Sequence, residues 1–179
     1  MDELIDKLPK TLRVLDVGAG GLQGENTSDV ILDWFDNYTG ICREKKEVDT
    51  YLAQRKEKGL SEPDIIIGDY YEHQFEPFDL VVYDLNIENN IMEWERGFVG
   101  APVKDGGFLI TYIMMTDQYG DPNETPPLLR NHWKNFWGDE SFSYSAVGAK
   151  KIKGWDMLAT QREERRKYIL WVLMQKTSG

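Results

Sequence analysis

The run Leu12-Arg13-Val14-Leu15-Asp16-Val17-Gly18-Ala19-Gly20-Gly21 is where the chain first turns apolar and then abruptly flexible. Leu12 to Val17 predicts a short buried strand. The glycines behind it permit a sharp turn that exposes main-chain groups at the strand's end. Asn26, Thr27, Ser28 and Asp29 offer N-caps for a following helix, and Val30, Ile31, Trp34 and Phe35 repeat at helical spacing. Tyr38 to Cys42 predicts a second strand. Glu44 to Lys58 predicts a helix with Val48, Tyr51, Leu52 and Arg55 on one side, stopped by Gly59.

The same alternation continues. Asp64 to Gly68 and Phe78 to Tyr83 are continuous apolar runs, the pattern of strands covered on both faces. Ile91, Trp94 and Phe98 mark a helix. A Lys104-Asp105-Gly106-Gly107 turn leads into a fifth strand, Gly107 to Ile113. Strands alternating with helices imply an α/β chain with a mostly parallel sheet and right-handed crossovers. The last third differs. Met114 to Thr125 is irregular, and Pro126 and Pro127 open a helix carrying Leu128, Leu129, His132, Trp133, Phe136 and Trp137 up to Gly138. After a loose stretch from Asp139 to Gly154, Trp155 to Thr160 and Tyr168 to Gln175 read as an antiparallel pair joined by the charged Gln161 to Lys167 loop.

Bulk properties narrow the function classes. The 179 residues suit a single domain spanning 1–179. With 31 acidic and 21 basic side chains the formal net charge is −10, which disfavours binding by phosphate neutralisation. Cys42 is the only cysteine, so neither an intrachain disulfide nor a Cys-rich metal site is expected. Met1 to Lys10 lacks the make-up of a signal peptide, and no apolar run approaches the roughly 18 residues of a membrane span. A soluble, cytoplasmic protein with no membrane contact is the expectation.

In open parallel sheets, ligands bind beyond the carboxyl ends of the strands, so the turn after Asp16 is the first candidate site. It departs from the dinucleotide pattern G-x-G-x-x-G, because Gln23 stands where the third glycine belongs. The stretch instead resembles the first motif of the class I S-adenosylmethionine-dependent methyltransferases, a strand ending in an acid, one residue, then Gly-x-Gly. Later segments resemble that family's motifs in the same order. Tyr38-Thr39-Gly40-Ile41 looks like its second strand, Ile65-Ile66-Ile67-Gly68-Asp69 its third, and Phe78-Asp79-Leu80-Val81-Val82-Tyr83-Asp84-Leu85-Asn86 its fourth. Lys104-Asp105-Gly106-Gly107-Phe108-Leu109-Ile110 looks like the turn and fifth strand. The resemblance covers roughly residues 11 to 176, apart from 114–154. It implies a Rossmann-like three-layer sandwich, whose seven-stranded sheet ends in an antiparallel C-terminal hairpin.

Roles follow from the resemblance at the matching positions. The backbone of Gly18, Ala19 and Gly20 would lie against the methionine part of S-adenosylmethionine, and Asp16 would hold its ammonium group. Asp69 would accept a hydrogen bond from the adenine amino group, with Tyr70 or Tyr71 near the ring. Asp84 and Leu85 would border the methyl-transfer site. The family usually ends its second strand in an acid that grips both ribose hydroxyls, and here that position is Cys42. Glu44, two residues along, and Arg43 are the replacements; the competing reading has Glu44 simply beginning the next helix.

Methyl transfer asks mainly for proximity and alignment, which can supply about 7–11 kcal/mol of barrier. A base is needed only where the acceptor must lose a proton, and Asp84 is the candidate catalytic residue, with Asn86 and Glu88 nearby. His132 and His73 read as structural and surface residues. Asp84-Leu85-Asn86-Ile87 lacks the Pro-Pro-aromatic motif of enzymes that methylate amino groups of nucleic-acid bases. A small molecule or a protein side chain is therefore the expected substrate. An RNA or DNA methyltransferase and a non-catalytic module binding a partner protein are the alternatives. The aromatic segment 114–154 is either a substrate-facing insert or a helix packed on the sheet edge. Lys150, Lys151, Lys153, Arg162, Arg165 and Arg166 read as a solvated hairpin tip. With no separate recognition domain expected, selectivity would fall to loops or a partner chain.

Overall fold

A computed structural model describes residues 1–20, 27–84, 100–114, 154–164 and 169–177. In chain order these form α1 (Asp2–Ile5), β1 (Arg13–Val17), α2 (Thr27–Trp34), β2 (Asn37–Cys42), α3 (Lys45–Glu57), β3 (Ile65–Ile67) and β4 (Phe78–Tyr83). Then come β5 (Val103–Met114), β6 (Trp155–Arg162) and β7 (Ile169–Lys176). The strands make one seven-stranded sheet in the order β3-β2-β1-β4-β5-β7-β6. β1 through β5 pair in parallel, whereas β7 runs antiparallel to both β5 and β6. The expected α/β sheet with an antiparallel C-terminal hairpin is therefore present. The helices anticipated around residues 91–98 and 126–137 lie outside the described residues.

The strand order places the candidate site. Strand order reverses between β1 and β4: the sheet grows outward to β2 and β3 on one side, and to β5 on the other. A crevice opens above such a reversal, because the connections leave in opposite directions. β1 and β4 form the centre of the core. Val14, Leu15, Val17, Leu80, Val81, Val82 and Tyr83 are all fully buried. Burying a side chain of this size is worth about 1.5–3 kcal/mol.

Three details differ from the sequence reading. β3 is an edge strand, with Ile65 and Ile66 half-buried and Ile67 44% exposed, so it is not covered on both faces. An apolar triplet carries no alternation that would reveal this. β5 begins at Val103, four residues earlier than expected, and the predicted turn is an irregularity inside the strand. Phe78 pairs with Val103 and Leu80 with Phe108, so the pairing jumps across 104–107. Gly106 has φ of +77°, and a Cβ on Gly107 would come within 2.9 Å of the Asp79 carbonyl, so both glycines are dictated by the bulge. Finally, the N-terminal segment is part of the core. Leu4, Ile5 and Leu8 are buried, and the Leu8 carbonyl accepts the Trp34 indole N–H at 2.9 Å.

α2 is tied to α3 by one buried cation. The Arg55 guanidinium donates through Nη1 to Asp29 Oδ1 at 2.7 Å and through Nε to the Ser61 carbonyl at 2.8 Å. Tyr51 Oη donates to the same Asp29 oxygen at 2.6 Å. Arg55 is only 6% exposed, which explains why a charged residue shares a helix face with Val48 and Tyr51. Removing Arg55 takes away two charge-assisted hydrogen bonds, although the Asp29 carboxylate, 37% exposed, can still be solvated. Arg55→Ala is expected to lower the unfolding free energy by about 1–3 kcal/mol, measured by urea titration.

Candidate functional site

The site is built from the carboxyl ends of β1, β2 and β4. Pairing aligns Asp16 with Gly40 on β2 and with Val82 on β4. Alternation along each strand then puts Asp16, Gly40, Cys42 and Val82 on one face. The Asp84 N–H donates to the Val17 carbonyl at 3.2 Å, extending the ladder one step and carrying Asp84 toward the same face. Asp84 is half-buried, and its charge acts on Asp16. Leu85, expected beside it, lies outside the described residues, as do Asn86, Glu88 and the aromatic segment beyond residue 114.

The turn is fastened from below. The N–H groups of Gly18 and Ala19 both donate to the Ile41 carbonyl, at 3.0 and 3.1 Å. The Gly20 N–H donates to Ser28 Oγ at 2.9 Å. These three residues therefore have only carbonyl oxygens left to offer a ligand. Gly18 and Gly20 have φ of +90° and +72°, conformations that disfavour a side chain, and a Cβ on Gly20 would meet the Tyr51 ring at 3.0 Å. Gly40 is required for a different reason. A Cβ there would stand 2.7 Å from the Ala19 Cβ and 2.9 Å from Tyr38 Oη, pushing the turn off the sheet.

Asp16 is the chemical centre. Its side chain is buried, and Oδ2 accepts hydrogen bonds from Ser28 Oγ and Tyr38 Oη, each at 2.6 Å. Burial pushes its pKa up to about 6, against the pull of the two hydroxyls, and the Asp84 charge adds to the rise. Burial and the neighbouring Asp16 charge together push the Tyr38 phenol upward, so Tyr38 remains a hydrogen-bond donor. Tyr38 and Ser28 were not expected at the site. Ser28 reads from sequence as a helix cap and Tyr38 as the start of a strand. The one available signal was that a buried Asp16 must find donors somewhere.

The remaining candidates divide. Cys42 ends β2, 9% exposed, with Sγ 3.9 Å from the Glu44 carbonyl, and burial pushes its thiol pKa up. It presents a neutral wall. Glu44 is the N-cap residue of α3 yet makes no capping hydrogen bond through its side chain. Its carboxylate is 61% exposed and lies 3.5 Å from Arg43. Glu44 thus begins α3, and its position at the rim leaves the carboxylate exposed.

Asp69 stands past the end of β3, where Oδ1 accepts the Tyr71 N–H at 2.8 Å and the Asp69 carbonyl receives the N–H groups of Glu72 and His73. Its carboxylate thus shapes the local turn with one oxygen. Tyr70 packs edge-on against Tyr71 and Tyr83, with ring centroids 5.2 and 5.6 Å away, and Tyr71 and Tyr83 share a short hydroxyl–hydroxyl contact. An aromatic wall therefore adjoins the end of β4. Among the described residues no cluster of His, Cys, Asp and Glu is arranged to hold a metal ion, and no helix is long and apolar enough to cross a membrane.

The raised Asp16 pKa has a consequence for stability. Its ordinary value is 3.8, so the folded chain keeps a proton that the unfolded chain releases, and stability falls as pH rises from 3.8 through about 6. At about 1.4 kcal/mol per pH unit, charged Asp16 destabilises the ligand-free fold by roughly 2–3 kcal/mol above that window. Asp16→Asn keeps an acceptor for both hydroxyls without the charge. It is expected to raise the unfolding free energy by about 1–3 kcal/mol near neutral pH and to change it little below about pH 4, measured by denaturation across pH.

No family model matches the chain, and no curated protein sequence matches it either. Solved structures do. N-methyltransferase NodS from Bradyrhizobium japonicum is 12% identical, with 99% of this chain and 94% of that one covered at a TM-score of 0.60. An O-methyltransferase from Bacillus cereus, in complex with SAH, is 13% identical, covering 98% and 80% at 0.64. An rRNA methylase from Streptococcus thermophilus is 10% identical, covering 99% and 93% at 0.55. Identities this low speak to architecture, and in architecture the chain is similar to all three. Strand order, the reversed β7 and these likenesses agree: the chain has the class I S-adenosylmethionine-dependent methyltransferase fold.

Proposed function

We propose that this protein is an S-adenosylmethionine-dependent methyltransferase acting by direct in-line transfer on a small molecule or a protein side chain. The observation that carries the reading is the polarity of the glycine turn. All three N–H groups from Gly18 to Gly20 are spent on Ile41 and Ser28, and a buried carboxylate stands beneath them. A phosphate would need those N–H groups and would be repelled by Asp16. A cationic ligand meets carbonyl oxygens and a carboxylate instead. S-adenosylmethionine carries an ammonium and a sulfonium, and the residues present suit those two cationic groups.

The nucleoside half fits in part. Asp69 and Tyr70 stand past β3, next to the end of β2, where an adenine would lie. Asp69 Oδ2 remains for an amino group while Oδ1 holds Tyr71. The ribose flank is less complete, because Cys42 offers a neutral thiol and the Glu44 carboxylate lies exposed at the rim.

Held by Asp16 and the glycine turn, S-adenosylmethionine would supply an electrophilic methyl carbon for an acceptor's lone pair, with the sulfonium leaving as a neutral thioether. The chain's own part is to hold the reactants in line. Asp84 sits at the border of β1 and β4, where it can orient an acceptor or take its proton. The net charge of −10 disfavours a polyanionic substrate and accords with a small or proteinaceous one. The likeness to an N-methyltransferase, an O-methyltransferase and an rRNA methylase leaves the acceptor atom open.

Two measurements test this. S-adenosylhomocysteine at about one hundred times its Kd is expected to stabilise the fold by about 2.7 kcal/mol, read as a rise in Tm, while NAD leaves Tm unchanged. No shift at millimolar S-adenosylhomocysteine would point to the non-catalytic module instead. Asp69→Ala is expected to weaken S-adenosylhomocysteine binding roughly tenfold in a folded protein; an unchanged affinity would take the adenine away from that residue.

A further inference from the structure

The Asp16 carboxylate does not use its two oxygens alike. Ser28 and Tyr38 both donate to Oδ2, whereas Oδ1 receives no hydrogen bond from the described residues. A carboxylate's terminal torsion is otherwise broad. Two donors from different elements, α2 and β2, fix it by triangulation. The arrangement is itself braced, because Ser28 also accepts the Gly20 N–H and so couples the turn to the carboxylate it covers. Gly40 completes the device by leaving the space that Tyr38 Oη occupies, 2.9 Å from where a Cβ would stand.

We propose that Tyr38 and Ser28 are positioning residues that hold Asp16 with Oδ1 reserved for the cationic amino group of the ligand. The carboxylate then selects thionucleosides that carry an amino-acid tail over those that do not. This rests on the methyltransferase reading and deepens it. A buried carboxylate with one oxygen lacking a donor is under-solvated, and an ammonium supplies both the missing hydrogen bond and the missing counter-charge. No described cation pairs with Asp16. The groups that act on it or on its donors are Ser28 from α2, Tyr38 and Cys42 from β2, Tyr51 from α3 and Asp84 past β4. None of these supplies a positive charge.

The arrangement makes binding depend on pH in a set direction. The amino group requires ionised Asp16, so affinity for a tailed ligand rises with pH through the carboxyl's titration. Each hydroxyl favours the ionised form, so deleting one moves that midpoint to higher pH. A ligand without the tail has no such dependence.

The test compares S-adenosylhomocysteine with 5′-methylthioadenosine, which keeps the nucleoside and lacks the amino-acid tail, by calorimetry from about pH 5 to about pH 8. Tyr38→Phe retains the ring and removes only the donor. It is expected to weaken S-adenosylhomocysteine roughly tenfold and raise its pH midpoint, with methylthioadenosine altered less than about twofold. Ser28→Ala, a second variant should the first fold poorly, is expected to show the same selective loss. Parallel loss of both ligands, or an unmoved pH midpoint, overturns the positioning role. Wild-type protein that binds both ligands equally at all pH values overturns the selectivity alone. Wild-type protein that binds neither overturns the methyltransferase reading, and this inference with it.

Discussion

A carboxylate with almost no solvent contact sits at the end of the central strand, and the surrounding architecture answers to it. Asp16 can be buried there because α2 delivers Ser28 and β2 delivers Tyr38 to the same oxygen. That requirement constrains the backbone. β2 must carry a glycine at residue 40 so that Tyr38 can reach across, and the turn must curl back so that Gly20 meets Ser28. The hydroxyls reduce the cost of burial without cancelling it, since the carboxyl still titrates near 6. A residue held at such a cost in a core position fits binding better than stability.

The turn above Asp16 looks from sequence like a generic ligand loop, and its hydrogen bonds make it specific. Glycine turns that receive phosphate leave their N–H groups pointing outward. In this chain they point inward, to the end of β2 and to α2. The same glycine-rich spelling can therefore serve opposite charges, and the partner of each N–H decides between them. On the neighbouring flank, Cys42 ends β2 and Glu44 is the N-cap residue of α3. The buried position holds a neutral thiol and the rim holds an exposed carboxylate.

Helix α3 braces the site from outside. Tyr51 contacts the space over Gly20 and also donates to Asp29, which Arg55 neutralises. The turn, α2 and α3 are thus one connected unit around Asp29. A charged residue on an otherwise apolar face, which periodicity alone would file as solvated, is in this case the tie between two helices.

Much of the fold was legible in local pattern. β1 and β4 were marked by short apolar runs, and the span Phe78 to Tyr83 agrees with the observed strand at both ends, because a central strand buried from Leu80 to Tyr83 is apolar there even though Asp79 interrupts the run. The α3 face was legible because burial follows helical period, as at Val48, Tyr51 and Arg55. Asp16, Gly18 and Gly20 were legible as candidate site residues because a strand, an acid and a glycine turn are contiguous in the chain. What tertiary structure alone decided are contacts between distant segments: Leu4, Ile5 and Leu8 joining the core, β3 lying at an edge, and Tyr38 and Ser28 meeting on one oxygen of Asp16. Local sequence encodes which stretches must be buried and where the chain can turn. Which donor satisfies a buried acceptor depends on strand register and helix placement, and those are set only when the whole sheet assembles.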